Sequence, residues 1–187
     1  MPNDALKRKL ESLLLEEHSR ARTDKVAELI GGNPDRFEIA WDIFCNGNPP
    51  LPQRMAWVIS VVTDAHPSIA ARYAASVAAR LPFLNHPAEI RAALHVLMKT
   101  PIPRECMGDL LECLFPWLQN ANLPAATRVY SMQVLYNISE MEPALKPELV
   151  IAIETLRMEA SPAFQARARH LLPKLKKEIA QMEREMK

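Results

Sequence analysis

The sequence predicts an all-α protein in which about ten helices stack into a right-handed superhelix. Three observations support this fold class. The 187 residues include 16 prolines but only 4 glycines, and proline is favoured in the first turn of a helix. The segments that follow the prolines carry apolar residues at helical spacing. An arginine also recurs at the start of alternate helices, with gaps of 37, 37 and 39 residues.

Apolar stripes and capping residues predict the first three helices. The first helix, about 3–16, has four leucines on one face: Leu6, Leu10, Leu13 and Leu14. The second, about 19–30, ends at Gly31, because glycine is favoured just beyond the last helical residue. Asn33 then provides an N-cap for a third helix that has Pro34 in its first turn.

The remaining helices are predicted to begin at or near a proline. The predicted starts or ranges are 51–65, Pro67, Pro87 to Lys99, 104–119, Pro124, Pro147 and Pro162. Two internal prolines, Pro116 and Pro173, are expected to disturb the helices that contain them, since proline removes a backbone hydrogen bond. The β-branched runs lie inside longer segments of helical period, so no strand is predicted.

The recurring arginines, Arg54, Arg91, Arg128 and Arg167, define a repeat of about 37 residues with two helices per unit. Such a period is typical of a helical solenoid. The Pro…Arg-x-Ala…Leu pattern at the start of every second helix resembles the HEAT-like members of the armadillo-type superfamily, over about residues 19–175. We expect one HEAT-like repeat domain over 1–187, with 1–18 as an N-terminal capping helix and 174–187 as a C-terminal helical extension.

The position of these arginines has two interpretations. A cation near a helix N-terminus is disfavoured by up to ~1 kcal/mol. In the first interpretation, each arginine reaches the C-terminal end of a neighbouring helix, where carbonyls or carboxylates accept hydrogen bonds. The candidate carboxylates are Asp42, Asp64, Glu140, Glu142 and Glu159. In the second, Arg54, Arg91 and Arg128 line one edge and hold an anionic partner, together with a part-exposed Trp57 beside Arg54.

No pattern typical of catalysis or of metal binding occurs in the sequence. There is no HExxH motif, no pair of histidines spaced i, i+4 and no glycine-rich phosphate loop. We therefore predict no catalytic residue, no metal and no cofactor. Core positions are expected for Trp41 and Trp117, and the three cysteines are expected to be small buried hydrophobes.

The function that we expect is a non-enzymatic scaffold that binds a protein or peptide. Its concave face is predicted to be lined by the second helix of each pair, in segments 67–81, 104–115 and 147–158. The alternative is a nucleic-acid-binding protein that resembles the HEAT-like alkylpurine DNA glycosylases, which have a basic concave surface. The formal net charge of +1 argues against nucleic acid, because duplex binding needs many lysines or arginines.

The C-terminal segment is a second candidate for interaction. Its apolar stripe, Leu175, Ile179, Met182 and Met186, has the a/d-like spacing of a helix that docks on a second copy or on another protein. Acidic residues interrupt the N-terminal leucines, so no signal peptide is predicted. The apolar runs are too short to cross a membrane. With no disulfide pattern, the sequence predicts a cytoplasmic protein.

Overall fold

The computed structural model describes residues 2–185, except for the side chains of residues 2 and 3. Over this range the chain forms eleven α-helices, three short 3-10 helices and no strand, so the all-α prediction is confirmed. The α-helices are α1 Pro2–Glu16, α2 Arg20–Ile30, α3 Pro34–Asn46, α4 Leu51–Ala65, α5 Pro67–Ala71, α6 Ala74–Arg80, α7 Pro87–Lys99, α8 Met107–Gln119, α9 Ala125–Met141, α10 Lys146–Arg157 and α11 Pro162–Glu185.

The predicted start and stop residues act as expected. The side chain of Asn33 accepts a hydrogen bond from the backbone N–H of Arg36, at 3.0 Å, and Pro34 is the first residue of α3. Gly31 has a φ of +52°, a conformation that favours glycine, and its N–H donates to the carbonyl of Ala27 at the end of α2. These contacts satisfy backbone groups that the helix ends leave unpaired.

One expectation about helix continuity was wrong. The predicted helix after Pro67 is divided into α5 and α6 at Tyr73, whose ring packs 5.1 Å from the rings of both Phe37 and Trp41. We attribute the break to this aromatic packing. The internal prolines do not end their helices, since α8 continues to Gln119 and α11 to Glu185.

The chain forms two compact units, one up to Pro103 and one from Arg104 onward. In the first unit, α1 packs on α3 and α2 packs on α4, which also packs on α7. Helices therefore stack on their equivalents in the next pair, as in a solenoid. The buried side chains that fill this unit include Phe37, Met55, Ile59, Leu94 and Leu97.

In the second unit, α8 packs on α9, α10 packs on α11, and α9 contacts both α10 and α11. Its core includes Leu110, Leu114, Leu135, Ile153 and Phe164.

The second unit also holds a buried lysine, Lys146. Its ammonium donates to Glu140 at 2.6 Å and to Glu178 at 2.9 Å, and the hydroxyl of Tyr136 donates to Glu178 at 3.0 Å. Burial lowers the pKa of Lys146, but the two carboxylates outweigh burial and raise it. The cluster therefore joins three helices through satisfied polar groups.

Trp117 and the cysteines are less buried than predicted. Trp41 is buried, but Trp117 is half-buried because the buried line of α8 runs through the neighbouring positions Leu114 and Leu118. All three cysteines are free and half-buried: Cys45, Cys106 and Cys113. Burial raises the pKa of Cys113 to about 11, so its reactive thiolate form is scarce near neutral pH.

Candidate functional site

Arg54, at the start of α4, contacts the end of α1. Its Nη1 donates to the backbone carbonyls of Leu14 and Leu15, the latter at 3.2 Å. The last carbonyls of a helix lack intrahelical donors and lie at the negative end of the helix dipole. The cation is therefore held by a neighbouring helix, as the tie interpretation predicts.

Arg128, at the start of α9, makes the corresponding contact in the second unit. Its Nε donates to the carbonyl of Leu118, near the end of α8, at 3.0 Å. The guanidinium carbon lies 4.8 Å from the ring centroid of Phe164, and the residue is 7% exposed. Burial lowers the pKa of Arg128. Its contacts are internal, so its guanidinium offers little surface to a partner.

Arg91, on α7, differs from the other two. Its side chain is exposed, and within residues 2–185 it forms no hydrogen bond and no ion pair. A different arginine, Arg80, reaches the end of α3, where its Nη2 donates to the carbonyl of Cys45 at 2.9 Å. Sequence reasoning missed Arg80 because it lies at the end of α6, outside the repeat pattern.

The carboxylates predicted to accept from the arginines are mostly bound by other basic side chains. Lys7 donates to Asp42 at 2.6 Å and holds the pKa of that carboxyl below its ordinary value. The other pairs are Asp64 with His95 and Lys99, Glu140 with Lys146, and Glu142 with Arg104. Backbone carbonyls, not these acids, are thus the acceptors for Arg54 and Arg128.

Trp57 is half-buried on α4, next to the connection between α1 and α2. The ring of His18 meets it edge-on with centroids 5.9 Å apart, and the guanidinium of Arg20 lies 6.0 Å from its centroid. Arg20 is also bound to Asp24 through two contacts of 2.8 and 2.9 Å. The ring of Trp57 therefore contacts His18 and Arg20.

A groove with a volume of about 450 Å³ lies between α8 and α10. Its apolar surface is formed by Phe115, Ile151, Ala152 and Leu156, with Gln119, Glu148 and Thr155 beside them. Ile151 is 66% exposed. Apolar surface gathered in one concave patch with a polar rim is typical of interaction sites.

Two exposed glutamates lie on the helices that form this groove, and Arg157 follows its lining residue Leu156 at the end of α10. Arg128, which is buried, is the sole lysine or arginine between residues 105 and 145. Glu112 lies one helical turn before Phe115, and Glu148 lies one turn before Ile151. Both glutamates are exposed, and neither forms an ion pair with another residue in the described range.

The exposure of Ile151 was not predicted, because helical periodicity alone assigns the apolar residues of its segment to a buried face. However, α10 contains five consecutive apolar residues, 149–153. A helix buries about one face, so a run of this length places at least one apolar side chain outside the core. Leu149, Val150 and Ile153 are buried, and Ile151 is the residue left exposed.

Two findings concern sites of other kinds. Among residues 2–185, no group of three or more histidine, cysteine, aspartate or glutamate side chains could hold a metal ion. None of the helices described here combines the length and the apolar character needed to cross a membrane.

Comparison with known proteins gives one match. A family model described as a HEAT repeat domain matches residues 10–175. No curated protein and no solved structure matches the chain. The matched range agrees with the repeat of helix pairs predicted from the recurring prolines and arginines. The chain therefore belongs to the HEAT repeat domain family and has its all-α solenoid architecture.

Proposed function

We propose that this protein is a non-enzymatic scaffold that binds a protein or peptide in the groove between α8 and α10. HEAT repeat domains are helical scaffolds generally involved in protein interaction. The observation that carries the proposal is the exposure of Ile151, at 66%, in the middle of an otherwise well-packed helix. Full burial of an isoleucine side chain contributes about 1.5–3 kcal/mol, and most of this remains available to a partner.

The groove also agrees with the surface expected from the sequence. Two of the three segments predicted to line the concave face, 104–115 and 147–158, overlap α8 and α10. We therefore propose that the partner lies along the face that α8 and α10 form in the second unit.

Affinity capture from the native cell tests this function with two matched variants. Ile151→Asn removes the apolar group from the groove, and Met158→Asn removes a somewhat more exposed apolar residue that does not line it. We expect the wild type and Met158→Asn to capture the same protein and Ile151→Asn to lose it. All three chains should unfold at similar temperatures. Capture of the same protein by Ile151→Asn would contradict the proposal.

Among the four residues predicted to bind a partner, we propose a direct contact for Arg91 alone, because it is exposed and unpaired within residues 2–185. Arg54 and Arg128 donate to helix ends, and Trp57 is half-buried against His18 and Arg20. This contact, with a carboxylate of a partner, is proposed for the first unit by itself and not as part of the groove between α8 and α10. Arg91→Gln should weaken it only slightly, since exposed ion pairs contribute little.

The C-terminal helix supports a second candidate function, self-association. Leu175 is buried, but Ile179 and Met182 near the end of α11 remain half-exposed. Met186, the last residue of the predicted stripe, lies outside the described residues. Sedimentation velocity of the wild type and of Ile179→Glu tests this candidate. A concentration-dependent dimer that the substitution dissociates supports it, and a monomer at all concentrations rejects it.

We also propose a cytoplasmic location, which the three free cysteines support, since reduced thiols are typical of that compartment. Nucleic acid is not proposed as the partner. Many of the cations are bound to carboxylates, including Lys7, Arg20, Arg22, Lys99, Arg104 and Lys176.

A further inference from the structure

We infer that the occupant of the groove between α8 and α10 is an amphipathic α-helix of another protein, with an aliphatic stripe flanked by lysine or arginine. This inference rests on the proposed function and specifies the chemistry of the partner. The helices that form the groove indicate that the partner segment is helical. The charges around the groove indicate which residues flank its apolar stripe.

The walls of the groove favour a helical partner. Both walls are α-helices, whose backbone N–H and C=O groups are used within each helix, so no sheet edge is available to an extended peptide. The hydroxyl of Thr155 already donates to the carbonyl of Ile151, at 2.8 Å. An extended chain would place unpaired backbone groups against apolar side chains, which is costly. A helix satisfies its own backbone and presents only side chains.

The volume and the lining fit an aliphatic stripe. The cavity of about 450 Å³ lies within the range of sites that bury most of a bound group. Phe115 lies on one wall, and Ile151 and Leu156 lie on the other. Ile151 and Leu156 are five residues apart on α10, which is about 7.5 Å along the helix. Two side chains at i and i+4 of a partner helix, about 6 Å apart along its axis, match a surface of this extent.

The charge of the groove decides what flanks the stripe. Glu148 lines the groove, Glu112 lies one turn from Phe115, and neither carboxylate has an ion-pair partner in the described range. The other charges on α10 are Lys146, which is buried and bound to Glu140 and Glu178, Glu154, which is bound to Lys176, and Arg157 at the end of the helix. Basic groups on the partner are therefore expected beside Glu112 and Glu148, where acidic groups would be repelled.

A second copy of this chain is a poorer occupant. Its own basic apolar helix is the C-terminal part of α11, but there Leu175 is fully buried and Lys176 is bound to Glu154. Without unpacking α11, only the half-exposed Ile179 and Met182 of that stripe could enter a groove. The occupant that we infer is therefore a different protein.

Three labelled peptides test the inference by fluorescence anisotropy. The first is an 18-residue helical peptide with a leucine stripe and lysine flanks, the second has glutamate in place of each lysine, and the third has two prolines in the stripe. With the wild type we expect the lysine peptide to bind about three- to tenfold more tightly than the glutamate peptide. The proline peptide should bind at least tenfold more weakly than the lysine peptide.

Variants of the protein assign these differences to the groove. The double variant Glu112→Gln, Glu148→Gln should bind the lysine and glutamate peptides equally, whereas the matched control Glu159→Gln should keep the wild-type preference. Ile151→Asn should weaken both peptides about tenfold. The inference would be overturned if the wild type bound the lysine and glutamate peptides equally, or if it bound the proline peptide as tightly as the lysine peptide. A preference for the lysine peptide that survives in the double variant would also overturn it.

The outcome for the natural partner separates this inference from the proposed function. If the captured protein is lost with Ile151→Asn but retained in full by the Glu112→Gln, Glu148→Gln variant, the scaffold function stands and the basic flank is rejected. If the chain forms a dimer that Ile151→Asn dissociates, the groove holds a second copy and the inference is rejected. If Ile151→Asn leaves capture unchanged, both the inference and the proposed function are rejected.

Discussion

Each of the two units carries a groove between helices, and the two grooves differ in the large apolar side chain that one of them exposes. The groove of the first unit, about 340 Å³ between α2 and α4, is lined in part by small apolar residues such as Val62, which is 2% exposed. Its Asp24 is bound to Arg20, and its Glu28 has no ion pair in the described range. The groove between α8 and α10 has Ile151 exposed and Glu148 unpaired within the described range. Because both grooves hold an unpaired glutamate, the exposure of a large apolar side chain is what distinguishes the groove between α8 and α10.

The largest expected effect separates two isoleucines on α10. Ile153 is fully buried, and Ile151 is 66% exposed. Ile153→Ala should lower the free energy of unfolding by about 3 kcal/mol, because it leaves a cavity. Ile151→Ala should change it by less than about 0.5 kcal/mol and should weaken partner binding. Urea unfolding followed by circular dichroism measures both values, and a loss of more than about 1.5 kcal/mol for Ile151→Ala would show that this residue serves the fold.

The next effect compares a repeated arginine from each unit. Arg128→Ala should cost about 2 kcal/mol, because it removes a buried charged donor from the carbonyl of Leu118 and packing from Phe164. Arg91→Ala, at an exposed position, should cost less than about 0.5 kcal/mol. Thermal unfolding of the two variants checks this order. Equal losses would mean that Arg91 is also held by a neighbouring helix.

A substitution in the groove of the first unit provides the reverse test. Val62→Ala should lower the free energy of unfolding by about 1–2 kcal/mol, because the removed methyl groups are buried. It should leave partner capture unchanged. Capture that is lost with Val62→Ala, measured under conditions where the variant is folded, would move the binding surface to the first unit.

The smallest effect concerns Asp64, a paired acid of the first unit. Partial burial raises the pKa of Asp64, but Lys99 and His95 outweigh it, so the pKa lies below its ordinary value. Its stabilisation is therefore present above pH ~4 and is lost as the pH falls through the lowered pKa. Asp64→Asn should cost less than about 1 kcal/mol at pH 7, because the side chain is 52% exposed. The difference from the wild type should vanish at low pH in urea unfolding; a difference that persists there would contradict the ion pair.

The sequence predicted the features that depend on local chemistry. Asn33, Gly31 and the prolines at helix starts act through their own backbone neighbourhood, so their roles follow from residue type. The period of about 37 residues predicted the family for the same reason, because each repeat needs the same turn and helix-start residues. The division at Tyr73 depends on rings of a different helix and could not be inferred from its own segment.

The groove was the feature that the sequence predicted least well. The segments that line it were predicted, but the arginines chosen as binding residues include two whose guanidinium groups bind helix ends. Which side of an apolar run faces the core depends on the neighbouring helices, so periodicity could not separate Ile151 from Ile153. The absence of basic residues from most of 105–145 was visible in the sequence, but its meaning depends on the burial of Arg128.

A methyl NMR titration locates the binding surface directly. The isoleucine and valine methyl groups are labelled, and the lysine-flanked peptide or the captured partner is added. We predict that the Ile151 resonance shifts most and that Val61 and Val62 in the groove of the first unit stay unchanged. Shifts confined to Val61 and Val62, with Ile151 unmoved at saturation, would contradict the assignment of the partner to the groove between α8 and α10.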